Sequence, residues 1–476
     1  MKTHPEAKTP DAPETIIAEA TPSGHAGISV VRLSGANALA IAQGVVGPIS
    51  KPRHAYFRSF KTSTGDTFDQ GLVLYFKAPN SFTGEDIVEF QGHGGPIVVH
   101  SLIQTCVEGG ARMARPGEFS ERSFLNDKMD LVQLEAVADL IASASEQAAK
   151  SALGSLTGIF SKAVNALVSA VTELRIYIEA SIDFPEEEID FLAEPFVLER
   201  TTMIEAQLEE ILKQAEQGRR LQAGLSIALV GSPNAGKSSV LNRFSGQDSA
   251  IVTAVPGTTR DVIREQLVLD GYPIQIADTA GIREAADEIE REGIARSYQT
   301  ALMADLSLWI IDVTTLDLPR LNLSRNVLER HLVAAQAALF QDDAPLKRLI
   351  VLNKMDLLPE IMQNQLSDLL VRDAHIFMVS AKTGLGWDDL ASGIKAMAGV
   401  SEDSESLFSA RTRHIVALTE AAQHLAEAKN SLITGLPGEF MAEDLKRAQV
   451  ALGEITGQVT SDDLLGKIFS SFCIGK

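Results

Sequence analysis

The chain has 476 residues and carries 42 lysines and arginines against 63 aspartates and glutamates, a formal net charge of −21. That balance excludes a uniformly basic surface that grips nucleic acid by bulk charge, although local basic patches remain open. Two cysteines, Cys106 and Cys473, give neither a disulfide framework nor a zinc spacing. No run approaches the ~18 apolar residues of a membrane span. The expectation is a cytoplasmic protein of about three domains that binds no membrane.

Residues 1–14 are polar and proline-bearing, lack the apolar core of a signal peptide, and are expected to be disordered. From 15 to 128 short apolar strands such as Ile28–Leu33 and Gly71–Phe76 alternate with helical stretches at 34–46 and 96–108, an α+β pattern. Its turns are dense in glycine beside charge: Ser81–Asp86, Gln91–Pro96 and Ala114–Phe119. Such loops are either tight structural turns or binding loops, and the residues alone favour neither.

At Met129 the texture changes. Leu131, Leu134, Val137, Ala138, Leu140 and Ile141 recur at helical spacing, and the same rhythm runs from Ala148 to Ile178. The acidic turn Phe184–Glu188 interrupts it, and another helix is expected over 194–218. Helices return over 410–432, 439–454 and 462–472. The reading is a helical domain in two parts, 129–220 and 398–476, with an α/β segment, 221–397, inserted between them; two separate helical domains are the alternative.

Within that segment, Gly231-Ser232-Pro233-Asn234-Ala235-Gly236-Lys237-Ser238-Ser239 fits the phosphate-loop pattern G-x-x-x-x-G-K-[ST]. It follows the apolar run Leu225–Val230 and leads into Val240-Leu241-Asn242, the strand–loop–helix setting that gives the pattern meaning. Glycines let successive N–H groups turn inward, and the helix N-terminus adds its positive end. Lys237 would reach β- and γ-phosphate oxygens, and Ser238 would ligate Mg²⁺. Asp278-Thr279-Ala280-Gly281 follows a strand, so that Asp278 would hold Mg²⁺ through water and Gly281 would sense a γ-phosphate. Asn353-Lys354-Met355-Asp356 follows Leu349–Leu352; Asp356 offers two acceptors to the two donors on guanine's Watson–Crick edge, and Lys354 would lie over the base. Ser380-Ala381-Lys382 follows Ile376–Val379 and can offer a backbone N–H to guanine O6. Between the first two motifs lies Thr253-Ala254-Val255-Pro256-Gly257-Thr258-Thr259-Arg260-Asp261. A threonine there completes the Mg²⁺ shell; Thr259 is the choice and Thr258 its competitor. In this order, each after a strand, the motifs make a GTP-binding domain. Position 282, where Ras-like proteins carry a water-orienting glutamine, is Ile282.

The chain resembles the bacterial tRNA-modification GTPases of the MnmE (TrmE) family over nearly its whole length. Beyond the shared motifs, the likeness rests on Gly257–Asp261, Asp278–Arg283, the block Arg115–Asp130 and the terminal Phe472-Cys473-Ile474-Gly475-Lys476. It implies a multidomain α/β and α+β protein: an N-terminal α+β tetrahydrofolate-binding and dimerisation domain, a discontinuous helical domain, and an inserted Ras-like P-loop GTPase domain. It further implies a homodimer that works with an FAD-dependent partner, in a heterotetramer or larger, to install aminomethyl-type groups at C5 of the wobble uridine of certain tRNAs. A K⁺ ion, held by Asn234, Thr253, Val255 and Thr258, takes the place of an arginine finger, and Glu290 orients the water. On residues alone Glu290 reads as a surface glutamate among Asp287, Glu288 and Glu292. The family binds 5-formyltetrahydrofolate or a related form; the matching positions are Arg32, Glu89, Lys128 and Lys476. Cys473 is left between two roles, a thiol nucleophile near the folate or a structural residue of the tail. The alternative function is a GTP-dependent switch of the ribosome-assembly type, which shares Gly257–Asp261 but usually appends a basic RNA-binding domain.

Overall fold

The structure is a computed structural model and describes residues 14–183, 195–246, 264–269, 272–278, 304–316, 324–337, 347–370, 373–397, 407–459, 462–470, 472 and 475. The chain divides into two compact units, residues 1–138, 164–173 and 445–476 in one and 139–163 and 174–444 in the other.

The first unit is built on β1 (Ile16–Glu19), β2 (Ala26–Ser34), α1 (Ala38–Val46), β3 (Tyr56–Lys61), β4 (Thr67–Phe76), β5 (Ile87–Gly94), α2 (Pro96–Glu108) and β6 (Arg112–Met113). The strands form one sheet in the order β3-β4-β5-β2-β1-β6, antiparallel except for the β1–β6 pair. Alternation places Val31, Leu33, Val73, Val88 and Phe90 on the face that α1 and α2 cover, where Phe60 and Phe90 meet edge to face at 5.7 Å. Cys106 lies fully inside this core, and burial pushes its thiol up to about 12, so it stays protonated at neutral pH. Two short helical segments follow, α3 (Glu118–Leu125) and α4 (Leu131–Ala142). Asp130 and Gln133 cap α4 reciprocally, side chain to backbone in both directions.

Next come α5 (Glu146–Leu156), α6 (Ile159–Asp183) and α7 (Pro195–Ala223). The helical rhythm read over 148–178 is carried by two helices, with a turn at Thr157 and Gly158 between them. Gly224 alone separates α7 from β7 (Leu225–Val230), which is followed by α8 (Lys237–Ser245), β8 (Arg264–Leu269), β9 (Tyr272–Asp278), β10 (Leu306–Asp312), α9 (Arg325–Ala337), β11 (Arg348–Asn353), α10 (Glu360–Leu370), β12 (Ile376–Met378) and α11 (Trp387–Met397). Their sheet runs β12-β11-β10-β7-β9-β8, parallel apart from the β8–β9 edge pair. All seven residues of β10 are buried, as expected of a central parallel strand.

The chain ends in α12 (Thr412–Ile433), α13 (Gly438–Thr456) and α14 (Asp462–Ser470). Here α12 packs along α7, and Lys429 pairs with Glu205. The segment before α12 threads between α5 and α7 on two glycines: a Cβ on Gly154 would strike Leu407 O, and one on Gly218 would strike Phe408 O. Phe408 stacks on Phe160 at 4.4 Å. In the first unit, Ile468, Phe469 and Phe472 close over Leu131 and Leu134.

One ion pair there sets a pH dependence. The Glu118 side chain, 3% exposed, accepts from Arg112 Nη1 at 2.9 Å, Arg112 Nη2 at 2.6 Å and the Arg115 N–H at 2.8 Å. Burial alone raises its pKa, but these bonds and the arginine charges outweigh it and bring the carboxyl to about 2. A depressed folded-state pKa gives stability that is present above the unfolded value near 4.5 and is lost as pH falls through about 2. With Arg112 open to solvent the contribution is on the order of 2 kcal/mol. Chemical denaturation of the Glu118→Gln variant should show that deficit at pH 7 and a gap that closes between pH 4.5 and 2; a gap independent of pH contradicts the assignment.

Candidate functional site

The nucleotide motifs meet at the C-terminal ends of β7, β10, β11 and β12, where parallel strands deliver their loops to one edge. The phosphate loop turns on Asn234, with φ +62°, and on Gly236, with φ +96°. Gly236 caps α8, so the helix begins at Lys237 itself and its first N–H groups point into the loop. A Cβ on Gly236 would collide with Asn353 Nδ2. Ser238 and Ser239 are exposed, while Ala235 is buried. Lys237 Nζ donates to Gly231 O at 2.8 Å and Ser232 O at 3.0 Å, which holds the ammonium across the mouth of the loop.

Asn353, only 2% exposed, joins the loops together. Its Nδ2 donates to Ala235 O at 2.9 Å and its Oδ1 accepts from the Ala381 N–H at 3.1 Å. The amide of Asn353 is thus engaged by the protein on both its polar atoms. The same bond occupies the Ala381 N–H that was a candidate donor to guanine O6. Met355 is buried, whereas Lys382 is exposed and Asp356 half-buried. Asp356 Oδ1 accepts from the Ser380 hydroxyl at 2.7 Å, and Ser380 Oγ accepts from the Thr383 N–H at 3.1 Å. That chain of hydrogen bonds fixes the orientation of the Asp356 carboxylate. Lys354 adopts φ +67° and its Nζ reaches Asp312 Oδ2 at 2.5 Å. Asp312 and Ser380's link to Asp356 were missed from sequence; for Asp312 the available signal was a charged residue ending an otherwise apolar strand.

Asp278 ends β9, beside Leu229 of β7. Thr253 to Thr259, Thr279, Ala280, Gly281 and Glu290 lie outside the described residues, as do Cys473 and Lys476.

A second constellation sits in the N-terminal sheet. Arg32 and Glu89 face each other across β2 and β5, with Arg32 Nε and Nη2 at 2.9 and 2.7 Å from Glu89 Oε1. Arg32 also lies over the rings of Phe82 and Phe119, at 5.7 and 5.9 Å, and donates to Gly475 O at 3.4 Å. The pair is partly open to solvent, 20% and 15% exposed. Among the described residues nothing donates to Glu89 Oε2, an acceptor suited to a donor-rich heterocycle edge. Lys128 is exposed, and its stem packs near Gly84, in the turn that follows Phe82 and Thr83. Arg32, Glu89 and the tail at Gly475 are thus brought together, with Lys128 on the neighbouring turn.

The family profile described as "GTP-binding protein TrmE N-terminus" matches residues 15–128, and that described as "MnmE helical domain" matches residues 131–473. The tRNA modification GTPase MnmE of Coxiella burnetii (strain Dugway 5J108-111) is 50% identical over 464 residues, 98% of this chain and 99% of that protein. The chain belongs to the MnmE family. The MnmE of Pectobacterium atrosepticum is 47% identical over 97% of this chain and 99% of its own. Among solved structures, the FeoB G-domain from Methanococcus jannaschii is similar at 25% identity over 37% of this chain and 98% of that one, with a TM-score of 0.24. For this MnmE-family chain the resemblance read from Gly257–Asp261 and the C-terminal tail is therefore established. The fold class is multidomain α/β and α+β with a P-loop GTPase domain.

The Asn353 amide makes a direct prediction. Asn353→Ala unties two loops at once and removes two buried hydrogen bonds. It should weaken GDP and GTP by the same factor, at least about tenfold. Fluorescence titration with both nucleotides checks this; a loss confined to GTP would show that Asn353 serves the γ-phosphate instead.

Proposed function

We propose that this chain hydrolyses GTP in K⁺-stimulated fashion and, with an FAD-dependent partner, adds a carboxymethylaminomethyl or aminomethyl group at C5 of the wobble uridine of certain tRNAs. The observation that carries the reading is the match to curated tRNA modification GTPases across 98% of the chain, combined with a guanine-type base site tied to the phosphate loop by one amide. The ribosome-assembly alternative is set aside because both flanks of the nucleotide segment match this family's own profiles.

The proposed division of labour follows the residues. Residues 15–128 bind folate and dimerise, 129–220 and 398–476 form the helical domain, and 221–397 is the GTPase. Lys237 and the N–H groups of α8 hold phosphate oxygens, and Asp356 reads the base edge. Mg²⁺ would be held by Ser238 and Thr259, and it would neutralise charge on the β- and γ-phosphates. K⁺ would be held by Asn234, Thr253, Val255 and Thr258; Asn234 lies exposed at a left-handed turn of the phosphate loop. Ile282 cannot orient a water, so Glu290 is assigned that role, with Thr259 beside it. Tetrahydrofolate, as 5-formyltetrahydrofolate or a related form, would be held by Arg32, Glu89, Lys128 and Lys476. It would supply the one-carbon unit, with Cys473 as the thiol at hand, Cys106 being buried and protonated. The location proposed is the cytoplasm; among the described residues no single helix is long and apolar enough to cross a membrane.

Two readouts test this together. A deletion strain should lack the aminomethyl-type nucleosides at the tRNA wobble position, and the purified chain should hydrolyse GTP much faster in K⁺ than in Na⁺ at equal ionic strength. An unchanged nucleoside profile overturns the tRNA assignment, and equal rates overturn the K⁺ assignment.

A further inference from the structure

Lys354 belongs to a motif, but the group that holds it does not. Asp312 ends β10 directly beside Asn353 of β11, and its side chain is 10% exposed. Oδ1 accepts from the Thr314 N–H at 3.0 Å and from the Thr314 hydroxyl at 2.6 Å. Oδ2 accepts from Lys354 Nζ at 2.5 Å. One oxygen is thus pinned by its own following turn, which leaves the other aimed at the ammonium. Burial pushes the Asp312 carboxyl up, but the bonds from Lys354 and Thr314 outweigh it and hold the group below its ordinary value, charged at neutral pH. Lys354 is held at its other end as well: its backbone takes φ +67° at the head of the 3-10 turn Met355–Leu357. The side chain is therefore anchored at both of its ends.

We propose that Asp312 is a positioning residue for guanine nucleotides, holding Lys354 extended so that its apolar stem forms a prebuilt floor for the planar base. Lysine has among the largest rotamer entropies of any side chain, so fixing it before association removes a cost that binding would otherwise carry. The floor meets the ring face, not the Watson–Crick edge read by Asp356, and it lies on the base side of the pocket. Asp312 therefore acts on GDP and GTP alike. The inference rests on the base-side reading of Lys354 given above.

The test is a double-substitution cycle on the full chain, reading Kd for fluorescently labelled GDP and GTP. Asp312→Asn should weaken both by the same factor, about tenfold, the size expected for one lost charge-assisted bond. In steady-state hydrolysis the loss should fall on KM more than on kcat. Lys354→Met should weaken binding at least as much, and the double variant should be no weaker than Lys354→Met alone. A further full loss in the double variant, or a loss confined to GTP, overturns the proposal. If Lys354→Met binds as tightly as the unsubstituted chain, the base-side reading of Lys354 itself falls. If Lys354→Met weakens binding and Asp312→Asn does not, only the present inference falls. Thr314→Val, which unpins Oδ1, is the second variant should Asp312→Asn fail to fold. It should give a smaller loss that vanishes in the Lys354→Met background, and a loss that persists there overturns the proposal.

Discussion

The nucleotide site depends on one buried amide. Asn353 donates to the phosphate loop at Ala235 O and accepts from Ala381 N, so loops that are separated by over a hundred residues share one rigid reference point. A buried side-chain amide left unpaired costs about 1–3 kcal/mol, so this link is stable only when both loops are in place. The polypeptide answers that constraint on either side. Gly236 has no Cβ to clash with Nδ2, and β11 is buried enough to hold Asn353 at its end. The remaining ligand-facing groups are arranged around it: Asp356 by Ser380, Lys354 by Asp312, Lys237 by the carbonyls of its own loop.

The N-terminal sheet uses a different device. Arg32 and Glu89 are cross-strand neighbours, so the register of β2 against β5 places a cation and an anion side by side, and Phe82 and Phe119 supply the aromatic faces beneath. Gly475 brings the C-terminal tail to the same arginine. That contact joins residues 443 positions apart, which no local sequence pattern expresses.

What the sequence made legible follows from this distinction. Helices with clear periodicity emerged close to their true extents, Pro96–Glu108 among them, and the motifs Gly231–Ser239 and Asn353–Asp356 carried their chemistry in their spacing. Long-range hydrogen bonds did not. Asn353 stands in the motif Asn353–Asp356, yet its partners at 235 and 381 exist only after the sheet is assembled. Asp312 was overlooked because a single carboxylate at the end of an apolar strand has no pattern around it. Arg32 and Glu89 were assigned through family resemblance, since each alone looks like surface charge.

The central claim is that this MnmE-family chain selects guanine through the Asp356 carboxylate on a scaffold set by Asn353. Xanthine differs from guanine by a carbonyl in place of the C2 amino donor, so an acceptor at position 356 suits one base and a donor suits the other. The most direct measurement is the relative affinity of the Asp356→Asn variant for xanthosine and guanosine triphosphates. The account predicts that its preference reverses toward the xanthosine nucleotide. A variant that still prefers GTP would contradict it.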